Sequence, residues 1–139
     1  MKTNEYGYGV GANSFNAAGG LAGITCLVDE FFSNMDTLPE AKIIRQMHPQ
    51  DLTESRIKLT YFLSGWLGGP KLYSEHYGGI SIPNAHKHLQ IGDSERDAWL
   101  LCMQKSISTQ QYQDSFKEYL FTQLKIPAER IKQACAHKT

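Results

Sequence analysis

Five histidines, His48, His76, His86, His88 and His137, hold most of the metal-binding capacity of this chain. His86 is set apart by its surroundings. It falls between Trp66-Leu67-Gly68-Gly69-Pro70 and Glu95-Arg96-Asp97-Ala98-Trp99, in a stretch punctuated by Gly78, Gly79, Pro83 and Gly92. Strongly amphipathic segments flank that stretch, which is where an all-helical domain places a single axial ligand to a flat metallocofactor. A neutral imidazole is the commonest side chain for such a task. His86-Lys87-His88 also forms an HxH pair, but a closed zinc site needs further ligands at characteristic spacing. Cys26, Cys102 and Cys135 are scattered and make no CxxC, and nothing sets any of these thiols beside a base for nucleophilic work. Ser64-Gly65 and Gly68-Gly69 lack the Lys-Ser/Thr of a phosphate loop. On local chemistry alone, one histidine in a helix-rich chain suits a structural role as well as a ligating one, and both readings stay open.

The elements that must position these residues are read from periodicity. Leu21, Ile24, Leu27, Val28, Phe31, Phe32 and Met35 recur at three- and four-residue steps and predict a helix with one broad apolar face. Asp36 to Pro39 breaks it, and an irregular stretch runs to His48-Pro49. Asp51 with Glu54 reads as a cap for a second helix striped by Leu52, Leu59, Phe62, Leu63, Trp66 and Leu67, which Gly68-Gly69-Pro70 ends. Residues 71–92 show no sustained period and are expected to form a long structured loop, with at most a short helix around His86. A loop of that length inside a compact domain is usually functional. Ser94 with Asp97 opens a third helix through Trp99, Cys102, Met103 and Ile107. A fourth starts near Thr109 and carries Tyr112, Phe116, Tyr119, Leu120 and Leu124. Pro127 is expected to divide it from a short terminal helix. Residues 1–18, rich in Gly, Asn and small side chains, read as a loose arm or short turn, and 19–139 as one all-α domain.

The bulk numbers set outer bounds. The 139 residues suffice for one domain that buries a core and encloses a cofactor. Fourteen basic residues balance fourteen acidic ones, so no electrostatic argument favours nucleic acid or membrane as a partner. No apolar run approaches the roughly 20 residues that span a bilayer. Lys2 is followed by no apolar h-region, so no secretory signal is expected. Three unpaired cysteines suit a reducing cytoplasm, each as a small buried hydrophobe.

From Gly19-Gly20 to Met103 the chain resembles the truncated haemoglobins, in particular their second group. The matched elements are Phe31-Phe32, His48-Pro49, Lys58-Leu59 to Phe62-Leu63, and Trp66-Leu67-Gly68-Gly69-Pro70. They continue through Tyr73, Tyr77-Gly78, His86, Ile91, Glu95 to Leu100, and Cys102-Met103. The resemblance implies a two-over-two helical sandwich in which a long loop replaces most of the proximal helix. It also implies haem b (iron protoporphyrin IX), with five-coordinate iron on His86. The other ring N–H of His86 would donate to a backbone carbonyl. On the distal side it implies Trp99 as an indole donor, with His48, Phe32, Ser55 and Leu59 around the ligand. Phe31, Phe62, Leu63, Leu89 and Ile91 would pack on the porphyrin.

Two departures from the family pattern matter. Phe32 stands where the family usually has a tyrosine, so the hydroxyl that normally meets the ligand is missing. His48 is the residue that would restore a donor to the distal pocket. Pro83 and Ala85 occupy slots that often carry arginines for the haem propionates, so Lys58, Lys87, Tyr73 or His88 would have to serve. The implied ligands are O2, NO, CO, cyanide and peroxide. The implied uses are oxygen binding, or detoxification of NO and reactive oxygen. The alternative is a redox enzyme, an NO dioxygenase or a peroxidase-like protein, dependent on an external reductase. No catalytic residue is assigned.

Overall fold

The computed structural model describes residues 7–78, 89 and 91–136, and among these it is helical, with no strand. The order is α1 (Asn13–Ala17), α2 (Gly20–Thr37), a 3-10 turn (Pro39–Ala41), α3 (Lys42–Gln46), α4 (Thr53–Trp66), α5 (Leu72–Tyr77), α6 (Asp93–Thr109) and α7 (Asp114–Ala136). Helix α2 buries the stripe expected of it: Ile24, Leu27, Val28, Phe31, Phe32 and Met35 all face inward. It stops at Leu38, whose extended backbone is what a following proline imposes. Helix α6 opens with the Glu95 carboxylate accepting the Gly92 backbone N–H at 2.8 Å, a reach-back that satisfies one donor at the helix start.

Helix α2 packs on both α4 and α6, and α6 packs on α7, which gives a two-over-two arrangement of the long helices. Leu63 of α4, Met103 of α6 and Phe116, Leu120 and Leu124 of α7 complete the core that α2 begins. A polar stitch crosses it. Asn34 donates to the Cys102 carbonyl (3.3 Å) and to Ser106 Oγ (2.9 Å), and Ser106 donates to the same carbonyl at 2.7 Å. Buried polar groups paired in this way fix the register of α2 on α6 without a desolvation penalty.

Four expectations need correction. Residues 7–18 are more than a loose arm or short turn: they form a turn and α1, with Tyr8 buried against Phe116 and its hydroxyl 2.8 Å from Ser115 Oγ. Within 71–92 there is a six-residue helix, α5, too short to show a period. Helix α7 begins at Asp114 and runs unbroken past Pro127, which removes one backbone donor but leaves the remaining helical bonds to carry the chain on. Cys26 is exposed, whereas Cys102 and Cys135 are buried as expected.

The turn after α4 is held by glycine. Gly68 sits at φ +93°, and a Cβ there would lie 1.9 Å from the Gly11 carbonyl oxygen. Leu67 O accepts the Phe15 N–H next to this crossing, tying α1 to the end of α4. Gly68→Ala is expected to lose roughly 2–4 kcal/mol of stability, from left-handed backbone strain plus a backbone clash. A urea unfolding midpoint within error of the parent would contradict that close approach.

Candidate functional site

A mostly apolar cavity of about 380 Å³ opens between the two layers. Helix α2 supplies Phe31 and Phe32, 1% and 2% exposed, whose rings meet edge-on at 5.0 Å. The segment after α2 adds Ile44, Met47 and His48. Helix α4 presents Ser55, Lys58, Leu59, Phe62 and Leu63, spaced so that one helical face lines the cavity. Tyr73 of α5, then Leu89 and Ile91, close one side, and α6 adds Glu95, Arg96 and Trp99. Every expected pocket residue that falls among the described ones therefore reaches a single cavity. His86, Lys87 and His88 lie outside the described residues.

Polar groups in the cavity are few and differ in kind. The Trp99 ring packs edge-on against Phe31 at 5.2 Å, and its indole N–H has no hydrogen-bond partner among the described residues. A half-buried indole donor facing a cavity is a group that awaits an acceptor. His48 is the opposite case. Its Nδ1 lies 2.8 Å from the Ile44 carbonyl oxygen, and a carbonyl only accepts, so Nδ1 carries the proton. In the neutral ring Nε2 is then a lone-pair acceptor, not the donor that would stand in for a tyrosine hydroxyl. The ring also meets Phe32 edge-on at 5.8 Å, which braces it.

Cations stand at the rim. Arg96 is committed: it donates to Glu129 at 2.6 Å and to Asp97 at 2.9 Å, and Lys132 donates to Asp93 at 2.9 Å, so the network bolts α6 to α7. Its hydrogen bond from Arg96 holds the Glu129 carboxyl below the usual carboxylate range. Lys58 has no carboxylate partner among the described residues and lies 5.4 Å above the Tyr77 ring. Burial pushes the Cys102 thiol up to about 11, which keeps it protonated and unsuited to thiolate chemistry.

The sequence reading missed one whole wall, formed by Leu124, Pro127, Ala128 and Ile131 of α7. The signal was present. Leu124, Ala128 and Ile131 stand at helical steps of four and three, but a proline taken as a helix break hides that stripe. Arg96 was also missed, although it stands three residues before Trp99 and so shares its helix face.

A flat apolar macrocycle with acidic edge groups fits this donor set. Aromatic and aliphatic side chains wall the cavity, the Lys58 ammonium and the Tyr73 phenol line it, and one indole N–H lacks an acceptor among the described residues.

Residues 13–133 match the Bacterial-like globin family. Over 121 residues the chain is 32% identical to the group 2 truncated hemoglobin YjbI of Bacillus subtilis (strain 168), which covers 85% of this chain and 89% of that protein. Among solved structures, the group II 2-on-2 hemoglobin of the plant pathogen Agrobacterium tumefaciens superposes with a TM-score of 0.82 and 34% identity, over 86% of this chain and 92% of that one. The truncated oxygen-avid haemoglobin of Bacillus subtilis gives 0.78 and 30%, over 85% and 97%.

Proposed function

The chain belongs to the bacterial-like globin family, within its group II truncated haemoglobins, and from that premise we propose a haem b protein that binds O2 and related diatomic ligands through iron held by His86. When bound, the haem supplies the iron and its ligand-binding and redox chemistry. The observation that carries the reading is the convergence of the expected pocket residues on one apolar cavity, with an indole N–H that has no partner among the described residues. The similar haemoglobin of Bacillus subtilis, described as oxygen-avid, points the same way.

The roles of the chain's own residues follow from their chemistry. Phe31, Phe62, Leu63, Leu89 and Ile91 exclude water and pack on the macrocycle faces. Lys58, with Tyr73 beside it in the cavity wall, offers a charge-assisted hold on a propionate. Trp99 donates to a ligand that gains negative charge on binding. Leu59 and Phe32 present only apolar surface, and Ser55, being small, leaves space at the distal side. His48 contributes an acceptor while neutral and becomes a second donor only as imidazolium.

That acceptor favours a second reading in one respect. A neutral imidazole lining the cavity is a base of the kind that takes a proton from a peroxide, as peroxidase chemistry requires, with electrons from an external reductase. Optical spectra of the purified protein separate the two: ferric, then reduced, then reduced with oxygen. A five-coordinate reduced form that yields a lasting oxygen complex is the expected outcome. Immediate oxidation in air would favour turnover over binding, and no Soret band after haem is supplied would refute the haem reading.

A further inference from the structure

A chain of aromatic rings leads from the cavity to the surface. Tyr73 lines the cavity, and its ring centroid is 4.9 Å from that of Tyr77 one helical turn later. Tyr77 is 38% exposed, and its hydroxyl donates to Glu54 Oε2 at 3.1 Å, across from α5 to α4. Lys58 Nζ stands 5.4 Å over the same ring. Tyr61 and His76 extend the cluster along the surface, with centroids 4.9 Å apart. Holding a macrocycle calls on Lys58 and Tyr73 but not on Tyr77 or Glu54, and the contacts bring together the parts of a one-electron route: adjacent oxidisable rings, an exposed end, and a base for the phenolic proton.

We propose that Tyr73 and Tyr77 carry oxidising equivalents from the cavity to the surface, giving the protein a peroxide-dependent one-electron oxidase activity toward small soluble reductants such as ascorbate or phenols. The proposal rests on the haem reading above. Reduction of one H2O2 to two waters takes two electrons and two protons. For each electron, Tyr73 passes one inward and is refilled from Tyr77. The Tyr77 phenolic proton moves to the Glu54 carboxylate, leaving a neutral tyrosyl radical. That proton transfer is required, because the Lys58 ammonium over the ring disfavours a positively charged radical. A surface reductant then gives Tyr77 one electron, Glu54 returns its proton, and the reductant's own proton replaces the one consumed in the cavity. Over two passages, H2O2 and two reductant molecules give two waters and two one-electron-oxidised products.

The test uses haem-loaded protein treated with a small amount of H2O2 and a nitrone spin trap, followed by peptide mass mapping, with the Soret band recorded for every sample. The expected result is a trap adduct on Tyr77. It should be absent in Tyr77→Phe, severalfold weaker in Glu54→Gln, whose amide keeps a hydrogen bond but takes no proton, and erased by excess ascorbate. Adduct confined to Trp99 or Tyr61, no adduct on a protein with an intact Soret band, or full adduct yield in Glu54→Gln would each overturn the route. A protein that takes up no haem would refute the haem reading, and the route would fall with it.

Discussion

Purified His86→Ala is expected to retain no stable haem after gel filtration, and added imidazole is expected to restore part of it. The argument is one of reach and of elimination. Tyr73 lines the cavity before the stretch that contains His86, and Leu89 and Ile91 line it afterwards. His86 is three residues from Leu89, a separation the chain spans with at most about 11 Å. The other imidazoles are less suited. Nδ1 of His76, on exposed α5, bonds the Leu72 carbonyl at 3.0 Å, and His48 has its Nδ1 on the Ile44 carbonyl and its ring against Phe32, a residue of the expected distal set. Apolar packing alone would leave a bound macrocycle free to exchange. A haem-to-protein ratio near one in the variant, surviving filtration, would refute the proximal assignment.

Trp99→Phe is expected to speed oxygen release by about tenfold or more, since a buried hydrogen bond to a charged or polarised acceptor is worth roughly 1–3 kcal/mol. The variant keeps the edge-on packing against Phe31 and removes only the donor, so the cavity shape should change little. The prediction is sharpened by what stands nearby. Phe32 has no hydroxyl, and the Nδ1 proton of neutral His48 is directed to the Ile44 carbonyl, which leaves the indole N–H and the short Ser55 hydroxyl as the donors among the described distal residues. Stopped-flow release rates at neutral pH measure the effect. An unchanged rate would move the donor role to protonated His48 or to water.

Much of this was legible in the residues. The apolar stripe of α2 and the Gly68-Gly69-Pro70 stop of α4 follow from side-chain period and from backbone freedom, both of which are local properties. The pocket residues on α2, α4 and α6 were legible through family resemblance, and the fold then brings them together. What was hidden depends on tertiary context. A six-residue helix such as α5 has no period to read. The continuation of α7 across Pro127 depends on packing outweighing a lost hydrogen bond. The tautomer of His48 turns on a carbonyl four residues back, and only the coordinates reveal that contact.

The continuity of α7 has a thermodynamic consequence. Before Pro127 the helix inserts Phe116, Leu120 and Leu124 into the permanent core; beyond it, Ala128 and Ile131 face the cavity. The distal turns of α7 are thus anchored partly by whatever fills that space. Occupancy and C-terminal helicity become linked variables. By mass action, a ligand at 100 times its dissociation constant adds about 2.7 kcal/mol to the folded state. Because Pro127, Ala128 and Ile131 line that space, the helical turns that carry them are expected to report what the interior holds.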